Sequence, residues 1–231
     1  GCPAKKVTGG QSGCALMREP ELARRLIAAT VAGTQRPVTV KMRLGWDDAS
    51  LNAPEIARIA EGEGARMVTV HGRTRMQFYT GTANWARIAP VVEAIKLPVI
   101  ANGDIESGES AREAMKQSGA AGVMIGRGAE GRPWRLAEIS HGVFGTPYRE
   151  PTREEKLASM LDQVAGCVSL YGDRLGVRVV RKHVAAFVDA WCEDHGLPPM
   201  AETRVALCRI ETPAALLDAL AAALGNRRNA A

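Results

Sequence analysis

Aromatic side chains are scarce, making up 4% of the 231 residues. Any core must therefore be built mainly from aliphatic side chains. No apolar run approaches the roughly 20 residues needed to cross a bilayer; the stretch Ala214–Leu224 is short and is broken by Asp218. No segment resembles a secretory signal. The five cysteines, Cys2, Cys14, Cys167, Cys192 and Cys208, include no CxxC pair. That argues against zinc or iron–sulfur ligation, so no metal site is expected. Scattered thiols in an odd number suit a reducing cytoplasm, and a cytoplasmic protein with no membrane partner is expected. An initiating Met is also absent: the chain opens on Gly1-Cys2-Pro3 and reads as one whose true start is missing.

What is present begins with charge. The net charge is +5. Residues 1–150 hold twenty Lys and Arg against fifteen Asp and Glu, and residues 151–231 hold ten of each. The excess on the first part is compatible with a nucleic-acid partner.

Short β-branched runs at 38–44, 67–71, 98–102 and 122–126 are nearly continuous in apolar character. Strands buried on both faces of a parallel sheet read this way. Helical patterns at 19–32, 52–62, 83–95, 107–118 and 129–140 alternate with them, the second opening on an Asn52/Glu55 capping box. Four βα units imply right-handed crossovers. The Gly- and Pro-rich stretch 142–151 reads as a linker, and helices alone follow at 153–171, 177–195, 200–210 and 213–224. The expected fold is α/β, the C-terminal half of a (β/α)8 barrel over residues 1–147. A small all-helical domain is expected over 148–231, its last residues, 225–231, fraying.

In such barrels chemistry gathers at the carboxyl ends of the strands. Those ends read Lys41 and Arg43, then His71-Gly72-Arg73, then Asn102-Gly103-Asp104, then Gly126-Arg127-Gly128. Each delivers a cation, an amide or a tight turn to one rim. The loops after the last two strands are the usual phosphate site of this fold, so a phosphorylated cofactor is the expected guest there. Asn-Gly and Gly-Arg-Gly are also ordinary tight turns. Lys41 lies inside an apolar strand, where an unpartnered ammonium is costly, so it is expected to face a polar site. His71 reads equally well as a core histidine or a site residue. Cys2 lies in a loop near Lys5 and Lys6. Thiols beside cations are the reactive ones, although a plain loop cysteine fits the same residues. The run Gly9-Gly10-Gln11-Ser12-Gly13 is expected to be a flexible loop able to close over a ligand.

The run Gly1-Cys-Pro-Ala-Lys-Lys-Val7 with Gly10 and Gly13 resembles the catalytic loop of the tRNA-dihydrouridine synthases. Lys41-Met-Arg43, His71-Gly-Arg-Thr-Arg75, Asn102-Gly-Asp104 and Met124-Ile-Gly-Arg-Gly128 resemble that family's later motifs, in order. The flavour is that of the bacterial B-type, or nitrogen-regulation-like, enzymes. Arg181-Lys182-His183 resembles part of their C-terminal domain.

The resemblance implies a (β/α)8 enzyme that binds FMN and is reduced by NADPH. Hydride passes to C6 of a uridine flipped out of tRNA, and a cysteine protonates C5. By this resemblance Cys2 is the general acid. Lys41 and His71 contact the flavin, while Asn102, Gly103, Asp104, Gly126 and Arg127 hold its phosphate. Arg73, Arg75, Arg181, Lys182 and His183 meet tRNA. Apart from the resemblance, a monomer is expected, although nothing in the sequence fixes the oligomeric state. The family's four strands before the catalytic loop have no counterpart here. An open sheet edge is therefore expected, and the 231-residue chain alone is expected to bind FMN poorly. Two further readings fit the same residues: an FMN-dependent dehydrogenase of a small pyrimidine, and a tRNA-binding module without catalysis.

Overall fold

The structure is a computed structural model and describes residues 1–225. Residues 226–231, within the tail expected to fray, lie outside the described residues.

The chain divides into two compact units. The first comprises Gly1–Gly128 and Ile139–Gly145, the second Ala129–Glu138 with Thr146–Ala231. The helical unit thus includes a stretch, Ala129–Glu138, that directly follows the strand-rich region in sequence.

In the first unit, four parallel strands pair in sequence order: β1 (Thr39–Arg43), β2 (Met67–His71), β3 (Val99–Asn102) and β4 (Gly122–Met124). Between them run α3 (Ala53–Gly62), α4 (Ala89–Ala94) and α5 (Gly108–Ser118), while α1 (Lys5–Thr8) and α2 (Pro20–Ala32) precede β1. This is the α/β half-barrel pattern expected from the sequence. Val68, Val70, Val91 and Ala101 are fully buried, with Ile88 beside them. Aliphatic packing of this kind supplies about 25 cal/mol per Å² of apolar surface removed from water.

One helix cap and several helix starts differ from the sequence reading. Asn52 forms no capping box; its Nδ2 instead donates to Met17 O at 2.6 Å. The reciprocal capping box is on α5, between Ser107 and Ser110. The helix expected at 83–95 begins later, with a 3-10 turn at Ala86–Ile88 leading into α4. Residues 83–85 are held elsewhere: Ala83 N donates to Asp104 Oδ2, Asn84 N to Gly72 O and Trp85 Nε1 to Gly103 O. Those bonds tie the segment to the strand tips and keep it out of the helix.

The helix α6 (Arg135–Phe144) follows Pro133, later than the expected start at 129. The second unit is built on α7 (Arg153–Tyr171), α8 (Asp173–Asp194), α9 (Ala201–Arg209) and α10 (Pro213–Leu220). Gly172, at φ 75°, makes the turn between α7 and α8, so α8 starts four residues before the expected 177. Val180, Val184, Phe187, Val188 and Trp191 form its buried face against Leu216 and Leu220. Among the described residues, no helix is long and apolar enough to span a membrane.

Candidate active site at the strand tips

Strand register builds the site. Arg43 pairs with His71, His71 with Asn102, and Asn102 with Met124. Partners across a parallel ladder project to the same face, so Arg43, His71 and Asn102 form one row. Lys41, two residues before Arg43, shares that face.

His71 is the centre of the row. Its Nδ1 is buried and has no hydrogen-bond partner. Burial, then the charges of Arg43, Lys41 and Arg73, push its pKa down to about 3. The imidazole is therefore neutral near pH 7, with its unpartnered Nδ1 buried close to Gly103. Lys41 is solvent-accessible, yet the surrounding protein, followed by the Arg43 charge, holds its ammonium below the ordinary lysine value. Arg43, which the sequence places at the strand tip without a role, is 3% exposed. Its Nη1 donates to Thr74 O and Phe78 O at 2.8 and 2.6 Å. Its guanidinium also lies 5.6 Å from the centre of the Tyr79 ring.

The loop after β4 reaches the same ring. Arg127 is mostly exposed, and its guanidinium lies 5.2 Å from the Tyr79 centroid. Tyr79 is therefore shared by cations from the ends of β1 and β4. Gly126 is exposed, with open space above its backbone, which leaves room for an anion beside Arg127.

Cys2 is exposed and directly follows Gly1, which packs on β1. Gly1 packs so closely on this strand that a Cβ there would sit 2.8 Å from Lys41 O. The segment expected to be a flexible loop is a folded turn. It links α1 to a 3-10 turn at Gly13–Arg18. Cys14 N donates to Cys2 O, and Cys14 Sγ to Gly1 O, both at 2.9 Å. Gly13, at φ 60°, permits this closure, because a Cβ on it would fall 2.5 Å from Cys2 O. Burial pushes the Cys14 thiol up, so of the two sulfurs the exposed one at Cys2 is placed to react.

Other expected site residues are engaged within the protein. Arg73 was expected to meet tRNA, but it is 2% exposed. It makes a bidentate pair with Asp104 at 2.8 and 2.6 Å and donates to Thr80 O and Gly81 O. Asp104, expected to help hold a phosphate, is a carboxylate anchored by Arg73, by Ala83 N and, at 3.5 Å, by Arg127. A carboxylate repels a phosphate, so its contribution is to orient Arg127 and the loop. Gly103 and Asp104 form a turn with φ 112° and 54°. Asn102 is 7% exposed and its Nδ2 donates to Met124 O, tying β3 to β4.

Arg75 donates to Thr8 Oγ1 at 3.1 Å and stays half-buried. On α8, Arg181 turns inward and donates to Ile210 O at 3.2 Å. His183 is half-buried, and burial, then the Lys182 charge, holds its pKa below the usual value. Lys182 is the exposed member of the three, with Glu130 3.7 Å away. Arg174 and Arg178 are exposed on the same helix face. Their i, i+4 spacing to Lys182 was a readable signal that the run 181–183 concealed.

The sequence matches the profile of the dihydrouridine synthase (Dus) family over residues 1–226. It is 49% identical over its whole length to a probable tRNA-dihydrouridine synthase of Rhodobacter capsulatus, spanning 69% of that protein. It is 46% identical over 222 residues to a probable tRNA-dihydrouridine synthase of Rickettsia conorii, covering 96% of this chain and 65% of that one. Its identity to the tRNA-dihydrouridine synthase B of Xanthomonas axonopodis pv. citri is 43% over 218 residues, which cover 94% of this chain and 64% of that one. The chain thus spans about two thirds of the length of these relatives.

Proposed function

The chain belongs to the dihydrouridine synthase family, and on that premise we propose that it carries the catalytic face of an enzyme reducing uridines in tRNA to 5,6-dihydrouridine. The observation that carries this reading is the convergence of the Arg43–His71–Asn102 row, Lys41 and Arg127 on one rim, with the exposed Cys2 next to Gly1, which packs on β1.

The residues fit FMN. The neutral His71 imidazole and the accessible cation at Lys41 suit the polar edge of a flavin ring, and the open Gly126 backbone beside Arg127 suits its phosphate. When bound and reduced by NADPH, FMN supplies the hydride for C6 of the uridine. The protein's own part is proton delivery and orientation. Cys2 gives its thiol proton to C5, on a turn held by the Cys14 hydrogen bonds. Lys41 and Arg43 place positive charge where negative charge develops. A uridine in folded tRNA must leave its stack to reach this rim. Exposed Lys182, and Arg75 beside the Cys2 turn, are the cations proposed to meet the RNA.

The test is Cys2→Ala in the full-length protein, expressed in a strain lacking its own enzyme, with dihydrouridine in tRNA measured by mass spectrometry. General acid catalysis contributes about 10²–10⁴-fold, so modification should fall by that order while tRNA binding persists. Unchanged modification would remove Cys2 from its role. A reductase of a small pyrimidine would turn over without tRNA.

A further inference from the structure

Beyond the strand-tip row, the first unit carries a second cation–aromatic assembly. Trp46 lies in the loop after β1. The Arg18 guanidinium stands 4.9 Å from its ring centroid and the Arg75 guanidinium 4.7 Å. We propose that Arg18, Trp46 and Arg75 form a preformed patch that grips the phosphate backbone of the RNA strand beside the reacting uridine. This inference rests on the proposed action on tRNA and adds where the strand is held.

The patch is rigid because backbone pairing continues past the strand ends. Leu44 N donates to Arg73 O at 3.2 Å, Arg75 N to Gly45 O at 3.0 Å and Met76 N to Trp46 O at 2.9 Å. The loop is pinned further along by the Asp48–Arg87 ion pair and by the Ser50–Asp47 hydrogen bond. An RNA strand would therefore meet these side chains without ordering the loop first, which avoids an entropic cost of binding.

The charges point to an anion. Two neighbouring arginines of this unit are neutralised in ion pairs: Arg24 with Glu21 and Glu63, and Arg87 with Asp48. Among the described residues, Arg18 and Arg75 have no carboxylate within ion-pair distance. Two like charges around one indole repel unless an anion lies between or beside them. The Arg75 Nε is buried without a partner, while its Nη2 donates to Thr8 Oγ1 at 3.1 Å. Thr8 belongs to α1, the helix directly after Cys2, so the patch adjoins the turn that carries the reactive thiol. Guanidinium forks match phosphate geometry, and an aromatic face fixes their plane.

The test uses the full-length protein and measures tRNA affinity across a salt series. Arg18 is exposed, so Arg18→Gln should leave the melting temperature unchanged. It should weaken tRNA binding about tenfold, the size of one charge-assisted contact. It should also lower the slope of log K against log salt by about one, and Arg18→Lys should restore that slope. Affinity or slope equal to wild type in Arg18→Gln overturns the inference. If the wild-type protein itself fails to bind tRNA, the underlying tRNA reading falls. If wild type binds and modifies tRNA while Arg18→Gln matches it, only the patch assignment falls.

Discussion

Removing the Arg73 side chain tests whether this arginine serves the fold or the RNA. Its side chain is 3% exposed, and its guanidinium joins Asp104 bidentately while donating to two carbonyls of the β2 loop. Deleting one partner of a buried ion pair costs about 3–5 kcal/mol. The Asp104 side chain is 27% exposed, so water recovers part of its solvation and the lower end applies. Arg73→Ala should thus cost about 3 kcal/mol, a fall in melting temperature of roughly 6–12 °C for a protein of this size. The assay is thermal unfolding followed by circular dichroism, run beside Asp104→Asn and the double variant. The double variant should be less destabilised than the two single losses added together, because both remove the same pair. The pair should also weaken in acid. Burial works to raise the Asp104 pKa, but the hydrogen bonds from Arg73 and Ala83 N, with the Arg73 and Arg127 charges, outweigh it and leave a net lowering. A depressed carboxylate stabilises the fold above its ordinary pKa near 3.8, and that contribution is lost as pH falls through the folded value. A shift below 2 °C in Arg73→Ala, together with lost tRNA binding, would refute this reasoning and put Arg73 on the RNA.

Further outcomes follow from the structure. His71 should remain neutral in the folded protein down to about pH 3, so its ring resonances in an NMR titration should not move between pH 8 and 5. Since the unfolded chain takes up that proton near pH 6.5, the His71 contribution to stability should fall as pH drops from about 6.5 towards 3, and His71→Gln should remove that dependence. Gly13→Ala forces a Cβ to 2.5 Å from Cys2 O at a left-handed φ, and strain of this kind costs about 1–3 kcal/mol. Dihydrouridine formation should drop with it, measured against unchanged far-UV ellipticity. Arg181→Ala should lower stability by about 1 kcal/mol, through the lost bond to Ile210 O, with the salt dependence of tRNA binding unaltered. Lys182→Ala should do the reverse.

The strands were legible because the buried central strands β2 and β3 leave unbroken β-branched runs, and the tips of β1 to β4 bring Lys41, His71, Asn102 and Arg127 to one rim. The direction of individual cations was less legible. Arg181 and Lys182 differ by one residue, which on a helix is about 100°, and only the buried series Val177, Val180, Val184, Phe187 and Trp191 tells them apart. Arg73 reads as an RNA-facing cation until Asp104, 31 residues on, closes over it. Asn52 and Glu55 have the spacing of a capping box, yet tertiary contact with Met17 takes the Asn52 side chain. Trp46 carries no motif, since the stacking of Arg18 and Arg75 upon it depends on three loops meeting.

The short stretch Ala129–Glu138 has a practical consequence. Arg132 reaches Asp194, Glu193 and Ala190 O, and Trp134 stacks edge-on with Phe187. The Lys156 ammonium bridges Glu150 and Asp194 and lies over Trp134. The polypeptide therefore passes from one compact unit to the other three times, and a single protease cut at the Pro-rich 146–151 segment would not yield two self-sufficient pieces. The C-terminal piece would lose an indole from its core and leave Asp194 without its arginine. It would refold only when a peptide spanning 129–138 is supplied in trans.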